Sequence, residues 1–299
     1  MERHTGTTKK TNNSMTIKRF FFRTVIRTLE AMNHHHSPKH CRNHNLELSP
    51  LPTGNEHLDL ITVAFNNDTI LKLHIVKVAQ HITCPHTHFI ADNSTDMECS
   101  HRIEEYCREV GVPYIRLPKN RLGKIGPSYS HATALGWVYK YIVGSRKPHY
   151  FGFLDHDLFP LVDTDPTAIL HSQPVYGPKR ERDKYWYLSA IMSFYDYSYT
   201  SSRKVDFMPV TYTGTYLDTG GGNWPSLLST LDVSQLQFCK ERLEKIGTEG
   251  GDNRHQDLVE IFDERWLHTI NGSYWKKVAI KKENILDDLI DRYSRELKG

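Results

Sequence analysis

Short apolar runs that break off into clusters of Asn and Asp constrain this chain more than any other feature. LITVAF at residues 60–65 ends in Asn66-Asn67-Asp68, residues 88–91 end in Asp92-Asn93-Ser94-Thr95-Asp96, and YFGFL at 150–154 runs straight into Asp155-His156-Asp157. Runs this short and this rich in β-branched and aromatic side chains read as buried strands, and Asn or Asp directly after them reads as a helix N-cap. The intervals carry helical spacing: Leu71, Ile75, Val78, Ala79 and Ile82 within 69–82, a charged stretch over 97–110, and residues 128–143, with a further strand at 114–117. Strands alternating with helices predict an α/β protein with a mostly parallel, doubly wound sheet and helices on both faces. Ligands of such sheets bind beyond the strand C-terminal ends, where this chain collects amides and carboxylates, a lining suited to a nucleotide.

The second half is less regular. It has aromatic-rich segments over 185–199, a glycine-rich loop Thr219-Gly220-Gly221-Gly222-Asn223-Trp224, and spacing that predicts a helix over 234–246. No internal repeat is visible. With 299 residues, 38% hydrophobic and 11% aromatic, the composition is that of a folded globular chain. No window of 18 apolar residues exists, so no transmembrane helix is expected. Five scattered cysteines, an odd number, favour reduced thiols and a cytoplasmic setting. The predicted organisation is a tail over 1–50 and one folded body over 51–299.

A net charge of +3 hides an asymmetry. The first 44 residues carry nine basic side chains against Glu2 and Glu30, a balance of +7, which leaves −4 for the rest. Nucleic-acid binding by the body is therefore not expected, because the basic footprint it needs is confined to the tail. Residues 5–14 and 34–52 lack apolar periodicity and read as loosely attached. Between them, Ile17, Phe21, Val25, Leu29 and Met32 recur at helical spacing opposite Lys18, Arg19, Arg23 and Arg27. That pattern predicts a basic amphipathic helix over about 16–32, which packs on the body, lies on an anionic membrane surface or serves as a targeting segment. No secretory signal is expected. His34, His35, His36, His40, His44 and Cys41 lack the spacing of a closed zinc site, and Cys84, His86 and His88 alternate as strand residues do.

A bare DxD pattern is weak in a chain with 19 aspartates, and two occur. Context separates them. Asp155 and Asp157 follow an apolar strand directly, so both protrude at the functional edge of the sheet, whereas Asp163 and Asp165 sit in a Pro-flanked turn where aspartates bond their own backbone. Two carboxylates on a tight strand-to-loop bend suit a hard divalent cation, Mg²⁺ or Mn²⁺, bridging diphosphate oxygens. Neither a GxxxxGK[ST] loop nor a GxGxxG after the first strand is present, which disfavours P-loop hydrolysis and Rossmann-type hydride transfer.

Taken in order, strand-borne Asn66, Asp92-Asn93-Ser94, the helix around Ser130-His131-Ala132, Asp155-His156-Asp157, and Trp266-Leu267-His268 followed by Gly272-Ser273-Tyr274-Trp275 resemble the GT-A-fold, family-2-like glycosyltransferases over roughly residues 58–276. The resemblance implies transfer of a sugar from a nucleotide-diphosphate donor to a hydroxyl of a glycan or glycolipid acceptor, with Mn²⁺ or Mg²⁺ and inversion. It divides the body into a nucleotide-sugar half, about 58–160, and an acceptor half, about 161–276. It makes Asp92 the carboxylate that reads the base, Asp155 the residue nearest ribose and metal, Asp157 the principal metal ligand and His268 a late metal or diphosphate ligand. Asn66, Asn93, His156 and Lys124 join the donor side. On the acceptor side, Asp218 before the glycine-rich loop is the general-base candidate, Gly220 and Gly221 line the acceptor, and Trp224 stacks on a sugar face. No Glu-Asp pair follows this loop, a departure from the family pattern that leaves Asp206 and Asp252 as substitutes for the base. The rival readings are a retaining transferase of the same fold, a sugar nucleotidyltransferase, and a non-catalytic sugar-binding or membrane-docking protein.

Overall fold

The structure, a computed structural model, describes residues 8–52, 54, 56–246, 258–270 and 286–297. Helix α1 (Thr8–Asn33) and a two-residue strand β1 (Asn43–His44) precede the first apolar run, which forms β2 (Leu58–Ala64), buried throughout. Strands β3 (His86–Asp92), β4 (Tyr114–Arg116) and β5 (Tyr150–Asp155) follow, linked by helices α2 (Asp68–His81), α3 (Met97–Glu109) and α4 (Pro127–Val138). The polar residues after the strands start the helices, as the sequence predicts. Asn67 Oδ1 accepts from Ile70 N at 3.1 Å, and Asp96 Oδ1 accepts from Glu98 N and Cys99 N at 3.0 and 3.2 Å, satisfying donors that a helix cannot pair internally.

β2, β3, β4 and β5 form a parallel core in the order β4-β3-β2-β5. Strands buried on both faces need continuous apolar sequence, which is why these runs do not alternate. After β5 the chain turns through Asp155–Asp157 into β6 (Leu158–Pro160), then β7 (Val175–Tyr176), a ribbon of β8 (Lys179–Arg182) and β9 (Tyr185–Leu188), and β10 (Met192–Asp196). β10 pairs antiparallel with β5 and β7 with β10, while β1 pairs antiparallel with β4, completing a seven-stranded sheet ordered β1-β4-β3-β2-β5-β10-β7. Gly152 faces Phe194 across β5 and β10, and a Cβ there would lie 2.3 Å from the ring. The glycine inside an apolar strand thus makes room for an aromatic.

A second ribbon, β11 (Val210–Tyr212) and β12 (Thr215–Leu217), precedes β13 (Glu241–Lys245), β14 (Leu258–Phe262) and β15 (Trp266–His268). The last three join β6 in a four-stranded antiparallel sheet, β13-β14-β15-β6. Because β6 follows the Asp155–Asp157 turn, this second sheet is fastened to the C-terminal edge of the first. Helix Leu286–Glu296 covers it, burying Leu286, Leu289, Ile290 and Tyr293 beside Val259, Ile261 and Leu267.

Three sequence expectations need correction. The helix predicted over 234–246 is a short turn, Val233–Gln235, followed by β13, where exposed Glu241, Leu243 and Lys245 alternate with half-buried Arg242 and Glu244. Period two prevailed because β14 supplies a partner edge. Residues 34–52 are packed rather than loose: His44 stacks on Tyr114 with ring centroids 5.2 Å apart, Pro38 is buried, and β1 covers the sheet edge. Within residues 5–14, the part from Thr8 onward is helical. α1 packs on the body through buried Ile26 and half-buried Leu29, while Phe21, Val25 and Met32 of its predicted apolar stripe are exposed.

Candidate active site

Two strands and a turn bring three ligating side chains together. Asp155 ends β5 at the C-terminal edge of the parallel core, Asp157 lies in the turn that follows, and β15 delivers His268 opposite Leu158 of β6. The turn is locked from the same strand end, since Thr269 N and Oγ1 both donate to Asp157 O at 3.1 and 3.2 Å. One ligand atom from each of Asp155, Asp157 and His268 lies within 4.8 Å of the others. His268 Nε2 is 3.4 Å from Asp157 Oδ1, and its Nδ1 is 2.5 Å from Glu260 Oε2 on the neighbouring β14. Sequence reasoning missed Glu260. Only the cross-strand register Glu260↔His268 identifies it.

The electrostatics fit a cation. Burial alone would lower the His268 pKa, but Asp157 and Glu260 more than offset it and raise it to about 10. Burial and the neighbouring Asp157 charge push Asp155 above the usual carboxylate range. Two carboxylates and an imidazole packed this closely form a set that a divalent ion would relieve, taking the place of the His268 proton. Their O, O, N donors suit Mn²⁺, which accepts imidazole, better than Mg²⁺, which favours oxygen alone. Glu260, accepting from the other ring nitrogen, would orient the histidine as carboxylates do behind metal-bound imidazoles.

A second histidine faces the cluster. His131 on α4 places Nε2 3.4 Å from Asp155 Oδ1. Burial holds its pKa down to about 4 against the opposing pull of Asp157 and Asp218, so it is a neutral hydrogen-bonding group at neutral pH. The sequence marked its helix without giving the residue a role.

The donor-side residues are less available than expected. Asp92 is fully buried: its carboxylate accepts from Ser94 N at 2.9 Å, Ser100 Oγ at 2.5 Å and Tyr114 OH at 2.9 Å, with Arg116 3.2 Å away. It supports the edge from beneath, so the expected direct reading of a base does not match its position. Asn66, at φ +52°, crosslinks two loops by accepting from Thr95 N and Asp96 N at 2.8 and 2.9 Å. Asn93 donates to Ser130 Oγ at 3.1 Å and accepts from Asn120 Nδ2 at 3.1 Å. His156 is buried with Nε2 unpartnered among the described residues, and Lys124 is exposed on the turn Arg121–Lys124. Asp165 behaves as turn chemistry, its Oδ1 accepting from Thr167 N and Oγ1 at 2.8 and 2.6 Å.

On the other side stands Asp218, half-buried, whose Oδ1 accepts from Thr219 N at 2.8 Å and Tyr216 OH at 3.3 Å. Thr219 Oγ1 donates to Ser128 O at 3.1 Å, which ties the loop to the start of α4. The glycine-rich segment is a packed corner rather than an open loop. Gly220 has φ +94° and a Cβ there would meet Leu188 O at 2.8 Å, while Gly221 is buried against Leu217. Trp224 is wedged edge-on between Tyr185 and Trp186, at 5.6 and 6.2 Å between centroids, so the expected sugar platform is a packing residue. Gly220 and Gly221 likewise shape the corner instead of lining an open acceptor face. Asp206 is held by Arg27 of α1 at 2.5 Å, and Asp252 and the Gly272–Trp275 motif lie outside the described residues.

The fold and this cluster define a class: an α/β protein whose parallel sheet carries, at its C-terminal edge, a carboxylate–histidine centre fit for a divalent cation. No family model and no curated protein matches the chain. Among solved structures, it is similar to the mannosyltransferase PcManGT from Pyrobaculum calidifontis in complex with GDP-Man and Mn²⁺, at 12% identity and TM-score 0.35 over 52% of this chain and 49% of that one. It is similar also to the galactosyltransferase LgtC in complex with donor and acceptor sugar analogs (12%, TM-score 0.34, 46% and 58%) and to Staphylococcus aureus TarS (15%, TM-score 0.34, 50% and 30%). The chain thus spans about half the length of the first two.

Proposed function

We propose that this protein is a divalent-metal-dependent glycosyltransferase of the GT-A type, moving a sugar from a nucleotide-diphosphate donor to an acceptor hydroxyl with inversion. The observation that carries the reading is the convergence of Asp155, Asp157 and His268 at the strand C-terminal edge, with Glu260 behind the histidine. In this reading residues 58–160 form the donor half and 161–276 the acceptor half. A bound Mn²⁺ supplies positive charge to the diphosphate leaving group. Asp155, Asp157 and His268 hold it, and Glu260 fixes the His268 tautomer so that Nε2 faces the site. Neutral His131, beside Asp155, supplies a hydrogen bond to the donor.

Inversion needs a base on the face opposite the leaving group. Asp218 takes the proton of the attacking hydroxyl; among the described residues only its Oδ1 is hydrogen-bonded. Exposed Tyr216 and half-buried Tyr129 flank it and serve as the aromatic platform in place of Trp224. The test is thermal stabilisation of the purified protein by nucleotide diphosphates and nucleotide sugars with and without Mn²⁺, since a ligand of the native state raises stability by mass action. A Mn²⁺-dependent shift with one nucleotide, absent in Asp155→Asn/Asp157→Asn, is the expected result. Absence of any shift across the panel would overturn the reading.

A further inference from the structure

α1 has two unlike sides. One is fastened to the body: Ile26 is 4% exposed, Arg27 pairs with Asp206 at 2.5 Å and with Glu30 at 2.8 Å, and Arg121 N donates to Asn33 Oδ1 at 3.2 Å. Just after the helix, His34 Nε2 meets Thr133 O at 2.9 Å and Trp137 Nε1 donates to His36 O at 2.8 Å. Opposite the docked Ile26 the helix presents Phe21 and Val25 at 64 and 50% exposure, with Met32 at 49% two turns on, while Phe20 at 69% and Phe22 at 49%, edge-on to Tyr129, lie at the margins. Three consecutive phenylalanines in water are costly, at about 25 cal/mol per Å² of apolar surface, and an apolar patch of this kind marks a contact surface.

Charge selects the occupant. The helix sequence carries Lys9, Lys10, Lys18, Arg19, Arg23 and Arg27 against the single acid Glu30, and Arg27 is already matched by Glu30 and Asp206. Arg23, exposed, interrupts the apolar set itself. Residues 45–299 are net acidic, and outside the helix Arg42 is paired with Glu104, so most of the cationic excess belongs to this segment. Phenylalanines in a segment this rich in lysine and arginine match the two layers of an anionic bilayer surface, acyl boundary and phosphate headgroups.

We propose that α1 docks this protein on an anionic lipid surface, with Phe21, Val25 and Met32 entering the interface, Phe20 at its margin, and Arg23 with the other basic residues of this segment meeting the phosphates. Because the helix is clamped at Ile26, Arg27 and Asn33, docking fixes the orientation of the body. The Phe22 ring lies edge-on to Tyr129 at 6.1 Å between centroids, so the bilayer would border the Asp218 side of the candidate site. Resting on the glycosyltransferase reading, this makes the acceptor a lipid-linked hydroxyl presented at the bilayer surface.

Co-sedimentation with phosphatidylcholine vesicles, alone or containing phosphatidylglycerol, tests the docking without any sugar donor. Binding should require the anionic lipid and weaken with salt, as screening dictates. Phe21→Glu/Val25→Glu, at positions already exposed and therefore compatible with folding, should reduce binding at least tenfold. Arg23→Gln should reduce it about fivefold, the equivalent of the roughly 1 kcal/mol a basic side chain gains near such a surface. Equal binding to both vesicle types, or full binding by Phe21→Glu/Val25→Glu, overturns the proposal. So does a dimer in lipid-free sedimentation velocity that Phe21→Glu abolishes, which would assign the patch to a second copy of the chain. Vesicle binding without any nucleotide-sugar response would sink the enzymatic reading and leave the docking standing.

Discussion

Asp157 and Asp218 both act on His131, yet the chain holds them by different means. Asp157 sits in a turn between two paired strands, its carbonyl bonded twice by Thr269 and its carboxylate beside a histidine that Glu260 orients across the ladder. Asp218 directly follows the three-residue strand β12 and precedes a corner packed by Gly220 and Gly221, with one tyrosine hydroxyl and its neighbour's amide for partners. In the proposed reading, the charge that would meet a metal is the one fixed from several sides. The charge that would meet the acceptor hydroxyl stands on the lighter support. If the roles follow this division, substitutions at the two aspartates fail in different ways.

The largest effect belongs to Asp157→Asn. Removing one carboxylate from the cluster should cost about 10²–10³-fold or more in metal-dependent transfer, the scale on which a preorganised charge at the reacting centre matters, and should abolish stabilisation by Mn²⁺ in a thermal melt. Transfer that survives with its metal dependence intact would remove Asp157 from the centre. Asp218→Asn should lower kcat by about 10²–10⁴, the usual contribution of a positioned base, while Mn²⁺ and nucleotide stabilisation persist. A variant that loses metal stabilisation as well would erase the contrast between the two sites.

Glu260→Gln sharpens the comparison from behind. An outer carboxylate that orients a metal-bound histidine is worth about 10–100-fold in metal affinity, so the Mn²⁺ midpoint should rise by that factor with little change in kcat at saturating metal. An unchanged midpoint would make the Glu260–His268 contact merely structural. The pH dependence of the metal-free protein has a defined sign. The His268 pKa is raised from 6.5 to about 10, so its contribution to stability is full below 6.5 and is lost as pH climbs toward 10. Asp155, also shifted upward, adds a loss in the same direction at lower pH. Metal-free Tm should therefore fall between about pH 6.5 and 10, and the fall should flatten in Glu260→Gln. A Tm that rises over this window contradicts the arrangement.

How much of this was legible in the sequence divides along the same line. Strands β2 to β5 and helices α2 to α4 follow from apolar runs and their Asn or Asp endings, because backbone capping and double-sided burial are local demands. Asp155 and Asp157 were legible because they directly follow an apolar strand, whereas His268 was reached only through the family resemblance. Glu260 was not legible: it reaches His268 only through the pairing of β14 with β15, and nothing near it in the chain announces that register. Asp92 and Trp224 carried the right chemistry for ligand contact, but Tyr114 and Ser100 in one case and Tyr185 and Trp186 in the other had already claimed them. α1 misled in a subtler way. Its periodic stripe marked a true helix, while the docked face centres on Ile26 and leaves Phe21, Val25 and Met32 in solvent.

The smallest effect separates aromatic packing from aromatic recognition beside Asp218. Tyr216 is 48% exposed and donates to Asp218, so Tyr216→Ala should leave the melting temperature nearly unchanged. Its acceptor KM should rise several-fold, consistent with an aromatic contact worth about 1 kcal/mol. Trp224→Ala should do the reverse, because Tyr185 and Trp186 would lose a ring partner while no ligand surface is removed. Its cost, about 3 kcal/mol at the low end of the range for deleting a packed Trp because Trp224 is only half-buried, should appear in denaturant melts with KM near that of the parent. If the two variants exchange phenotypes, the sugar platform lies at Trp224 after all, and the packed corner must open to admit the acceptor. A substrate-dependent change in Trp fluorescence would then follow. Its absence in the parent protein, alongside a KM effect at Tyr216 alone, leaves the rim formed by Tyr216 and Tyr129 as the surface on which an acceptor is held for Asp218.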